Sequence, residues 1–65
     1  MRTRYNKWII ITKYGKVLIK EYKHLYKIET IRGYMKKRAD IIGENIDTIY
    51  FVNTYTGETY VEYMI

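Results

Sequence analysis

The sequence predicts an α+β fold, a four-stranded antiparallel sheet with one amphipathic helix packed on one face, in the order strand, strand, helix, strand, strand (ββαββ). Three observations predict it. Runs rich in β-branched and aromatic residues at Lys7–Lys13, Lys16–Tyr22, Ile46–Asn53 and Glu58–Ile65 read as strands. They form two pairs, each joined by a short stretch that ends in glycine, Tyr14-Gly15 and Thr54-Tyr55-Thr56-Gly57, as hairpins require. Between the pairs, Leu25, Ile28, Ile31, Met35, Ala39 and Ile42 recur at the spacing of a helical stripe.

In the first strand Trp8 and Ile10 point one way and Ile9 and Ile11 the other, because side chains alternate along a strand. Both faces are apolar, which suits a central strand. If Tyr14-Gly15 is a two-residue turn, Thr12 pairs with Val17, Ile11 with Leu18 and Ile10 with Ile19. One face then holds Trp8, Ile10, Val17 and Ile19, and the other holds Ile9, Ile11 and Leu18 ringed by lysines.

The segment from Lys23 to Thr30 either opens the helix or leads to an N-cap at Thr30, and Gly43 is placed to end it. Gly33 lies inside the helix at a cost of about 1 kcal/mol relative to Ala. In the second pair, a type I turn closed by Gly57 as a bulge pairs Thr54 with Glu58, Val52 with Tyr60, Phe51 with Val61 and Ile49 with Tyr63. The expected helix-facing core is Trp8, Ile10, Val17, Ile19, Ile28, Ile31, Met35, Ile42, Ile49, Phe51, Val61 and Tyr63.

A chain of 65 residues has room for one domain, residues 1–65, whose small core buries only about 60% of the unfolded surface. Disulfides are excluded by the absence of Cys. With His24 the only histidine and the acids scattered, neither a metal site nor a cofactor is expected. Oligomerisation or a partner is then the expected aid. No signal peptide and no membrane-length apolar run are visible, so a soluble, cytoplasmic protein without membrane or small-molecule partners is expected.

Catalysis has little to stand on. There is no Ser or Cys nucleophile, and no two acids converge by spacing, so a non-enzymatic protein is expected. The four glycines form no phosphate-cradling pattern. Twelve Lys and Arg against seven acids give a formal charge of +5, which favours anionic partners, and nine Tyr supply amphipathic rings.

The leading expectation is therefore a nucleic-acid-binding module, dimeric or partnered. Arg2, Arg4, Lys7, Lys13, Lys20, Lys36 and Lys37 would contact phosphates while Tyr22, Tyr50 and Tyr60 stack bases. One helix covers one face of a sheet only. The uncovered face, Ile9, Ile11, Leu18, Tyr50, Val52 and Tyr60, is the expected interface for a second copy or for another protein. The alternative function is thus a small protein-binding regulator or inhibitor, of the kind carried by viruses and mobile elements, docking through that face.

Overall fold

The computed structural model describes residues 3–36 and 45–63. Four strands, β1 (Tyr5–Thr12), β2 (Val17–Tyr26), β3 (Ile46–Val52) and β4 (Thr59–Tyr63), form one antiparallel sheet, with the helix α1 (Ile28–Met35) between β2 and β3 in the chain. The sheet order is β2-β1-β3-β4, so the two hairpins join through β1 and β3 and the most apolar strand lies inside. Among the described residues no helix is long and apolar enough to cross a membrane.

The core lies between the sheet and α1. Trp8 and Ile10 from β1, Ile46, Ile49 and Phe51 from β3, Ile31 and Met35 from α1, and Tyr5 are buried together, with Leu18, Tyr22, Tyr26 and Ile28 packed against them. Ile46 and Ile49 are an odd number of residues apart and would face opposite ways in a regular strand. The register shifts between Ile11, opposite Thr48, and Thr12, opposite Ile46, and this bulge turns both side chains inward.

The helix opens at Ile28, with Lys27 extended at the N-cap and no side-chain cap, rather than at Thr30. Lys23 to Tyr26 continues β2 instead of joining the helix. Ala39, Ile42 and Gly43, expected to extend and end the helical stripe, lie outside the described residues.

Both hairpin registers differ from expectation by one residue. Ile11 faces Val17, Ile10 faces Leu18 and Ile9 faces Ile19. A two-residue turn would demand positive φ at Tyr14, and among the described residues only glycines adopt it. The loop is instead Lys13-Tyr14-Gly15. The Gly15 N–H donates to the Thr12 carbonyl, the Thr12 N–H donates to the Lys16 carbonyl, and Gly15 alone takes φ of +84°.

In the second hairpin Val52 faces Thr59, Phe51 faces Tyr60 and Ile49 faces Glu62. There the Asn53 side-chain oxygen accepts the N–H groups of Tyr55 (2.9 Å) and Thr56 (3.1 Å) and starts a loop one residue longer than expected. The Gly57 N–H closes it on the Asn53 carbonyl, so Asn53 rather than Thr54 lies opposite Glu58.

A slip of one residue turns a whole strand over. Val17, Ile19, Val61 and Tyr63, expected in the core, therefore lie on the face away from α1. Leu18, Lys20, Tyr22, Tyr60 and Glu62 lie on the helix side. No neighbouring atom stands where a Cβ at Gly15 would be, so Gly15→Ala carries only the penalty of left-handed backbone, about 1–2 kcal/mol. Urea unfolding is expected to show that loss through a lower midpoint at unchanged slope.

Candidate functional site: the open face of the sheet

Cross-strand partners share a face, so the registers lay out the surface opposite α1 as three rows across β2, β1, β3 and β4. These are Val17-Ile11-Thr48-Tyr63, Ile19-Ile9-Tyr50-Val61 and Glu21-Lys7-Val52-Thr59. The first two rows and Val52 make one continuous apolar and aromatic surface, interrupted only by the small Thr48. Among the described residues no element packs over it. Its edges stand out most: Val17 is 53% exposed, Ile19 57% and Tyr63 70%, while Ile9, Ile11, Tyr50, Val52 and Val61 are half-buried by their neighbours.

Of the expected interface, Ile9, Ile11, Tyr50 and Val52 lie on this face. Leu18 and Tyr60 do not. Leu18 faces Ile10 and packs on the core, and the Tyr60 ring stacks on Phe51 with centroids 6.2 Å apart. Val17, Ile19, Val61 and Tyr63 complete the patch. The misfit of Tyr14 to a two-residue turn was the signal in the sequence that could have found the first two.

The residues expected to contact nucleic acid do not gather on one surface. Tyr50 is on the open face, but Tyr22 and Tyr60 are on the helix side, separated by the width of the sheet. Tyr22 accepts a hydrogen bond from Trp8 Nε1 (3.0 Å) and packs into a cluster with Tyr26 and Tyr34, at centroid distances of 5.7 and 5.5 Å. Tyr26 and Tyr34 meet edge to face at 5.4 Å. Burial among these rings, then the neighbouring Tyr34 and Tyr22, holds the Tyr26 phenol above its ordinary pKa. Rings so engaged offer little free face to a base.

Lys7 is on the open face, cross-strand from Glu21. Lys20 faces Trp8 on the helix side, its Nζ 5.9 Å from the centroid of Tyr22. Lys13 lies in the first hairpin loop, Arg4 precedes β1 and Lys36 caps α1, all exposed. Arg2 and Lys37 lie outside the described residues. Arg32 pairs with Glu62 and its guanidinium lies 5.6 Å from the Phe51 ring centroid, tying α1 to β4. Among the described residues no three His, Asp or Glu side chains converge. Compared with known proteins, the chain matches no family model, no curated protein and no solved structure.

Proposed function

We propose that the chain is a non-enzymatic protein-docking module whose working surface is the open face of the sheet. The observation that carries this reading is the continuity of that surface. Eight apolar or aromatic residues from all four strands adjoin, and three of them are more than half exposed. Exposed apolar patches of this extent mark interfaces. With its Lys balanced by a cross-strand Glu, the face holds no cluster of cations for phosphates and no convergent polar groups for a small substrate.

The chain has no Cys, so a photo-cross-linker on Ile19→Cys or on Lys20→Cys probes one face at a time. Adducts to protein are expected from position 19 and not from position 20. Equal yields from the two positions, or none from 19, would sink the docking reading.

A second reading, nucleic-acid binding, draws on a different feature. Lys13 in the first hairpin loop, Lys16 just after it and Lys20 and Lys23 along the edge strand β2 are all exposed, and Lys20 adjoins the Tyr22 ring. Lysines also protect a free sheet edge from unwanted pairing, which accounts for them without any ligand. Phosphate contact predicts binding to a labelled oligonucleotide at low salt that weakens steeply as salt rises, because counterions are released. No binding at low salt removes this reading.

A further inference from the structure

We propose that the occupant of the open face is a second copy of this chain, packed sheet to sheet about a two-fold axis parallel to the strands. The inference rests on the docking reading and names its partner.

Charge favours it first. The chain carries +5, yet the twelve positions of the three rows hold one positive and one negative residue, Lys7 and Glu21, which are cross-strand neighbours. The face is therefore neutral, and the excess charge lies elsewhere. Two copies can meet here without bringing like charges together. A strongly acidic partner would gain nothing from choosing this surface.

Size agrees. Four strands about 4.8 Å apart and five residues rising about 3.4 Å each give a face of roughly 300 Å² in projection. Ridged side chains present more area than their projection, so two such faces would bury about 1,000 Å² in total, the lower bound for a specific contact.

The distribution of side chains selects the axis. A two-fold axis along the strands lays β2 of one copy over β4 of the other and keeps each row over its own equivalent. Val17 then meets the partner's Tyr63, and Ile19 meets the partner's Val61. These pairings cover the residues that protrude at the two edges, while the Glu21-Lys7 rows of both copies fall together at one rim, where polar groups stay wet. An axis across the strands would instead press Lys7 and Glu21 onto the apolar row of Ile11 and Val17, desolvating an ion pair for no gain.

Sedimentation velocity over a wide concentration range tests the proposal. The wild type is expected to shift from one-chain to two-chain mass as concentration rises. Val17→Lys and Tyr63→Glu are each expected to remain monomeric with an unchanged circular dichroism spectrum, since both positions are exposed. Mixing these two variants is expected to restore the two-chain species. Lys20→Ala, on the other face, should leave association unchanged.

A dimer indifferent to both charged variants would overturn the seam, and a mixture that stays monomeric would overturn the pairing of β2 with β4. A wild type that is monomeric throughout overturns self-association. If cross-links then still form from position 19 in a lysate, the docking reading survives with a different protein as occupant. If none form, both readings fall.

Discussion

Replacing Trp8 by Ala is expected to give the largest loss of stability of any single alanine substitution in β1, about 3–5 kcal/mol. Trp8 is 2% exposed and sits in the central strand, facing Lys20 on one side and Phe51 on the other. Truncating a buried Trp costs about 3–5 kcal/mol, from lost transfer energy and from the cavity left behind. Domains hold about 0.05–0.15 kcal/mol per residue, which for 65 residues is about 3–10 kcal/mol in all. The substitution therefore removes a third or more of the total. Trp8→Phe keeps a ring in the core, leaves a smaller cavity and deletes the donor to the Tyr22 hydroxyl; the hydrogen bond accounts for about 1 kcal/mol of the loss because that half-buried hydroxyl can turn to water. Urea unfolding followed by far-ultraviolet circular dichroism separates the two. A Trp8→Ala midpoint close to that of the wild type would show that the core does not depend on this ring.

The same strand shows what the sequence makes legible and what it hides. Alternation along β1 is local, so Trp8 and Ile10 could be set apart from Ile9 and Ile11 by inspection, and Ile49 and Phe51 from Tyr50 and Val52. The outer strands offered no such guide. In β2 both alternations contain apolar residues, Val17 and Ile19 on one side and Leu18 and Tyr22 on the other, so composition alone does not choose. Loop length chooses, and it rests on two particular side chains. Tyr14 would pay a steric cost for the positive φ that a two-residue turn needs and does not adopt it, and the first loop is longer by one residue. Asn53 caps the N–H groups of Tyr55 and Thr56 and shifts the second.

The two shifts moved Val17, Ile19, Val61 and Tyr63 to the open face. That face is consequently larger and more aliphatic than alternation in β1 and β3 alone implied, and of the three tyrosines expected to stack bases it keeps Tyr50 while Tyr22 and Tyr60 lie on the helix side. This is why protein docking gains over nucleic-acid binding as the reading of the surface. The bulge that turns Ile46 into the core left no local trace, because it depends on pairing between β1 and β3, which are more than thirty residues apart in the chain.

Asn6→Leu is expected to cost about 2–5 kcal/mol although it keeps the number and branching of the side-chain heavy atoms. Asn6 is 1% exposed and stands where the ladder between β1 and β2 breaks: Tyr5 faces Tyr26 and Lys7 faces Glu21, leaving Asn6 alone against the residues from Tyr22 to Leu25. Its Nδ2 donates to the Tyr22 carbonyl (3.1 Å) and to Thr54 Oγ1 (2.8 Å), and its Oδ1 accepts the Thr54 N–H (2.8 Å). One amide thus replaces the missing ladder bonds and anchors the loop between β3 and β4.

Leu in its place leaves a carbonyl and an N–H without partners, each worth about 1–3 kcal/mol when water cannot reach them. Thr54→Ala removes only a hydroxyl on an exposed residue and is expected to lose no more than about 1 kcal/mol. Asn6→Asp separates shape from hydrogen bonding. Its carboxylate would still accept from Thr54 but would face the Tyr22 carbonyl without a proton to donate, so burial and that carbonyl both raise its folded pKa above the unfolded value. The penalty is then absent below the unfolded pKa, grows as pH rises towards the folded pKa and is constant above it, with the acid form donating to Tyr22 at low pH. Chemical unfolding of the three variants at acidic and neutral pH is the measurement. An Asn6→Asp stability that tracks the wild type at both pH values would mean that the gap in the ladder is filled by water and not by this side chain.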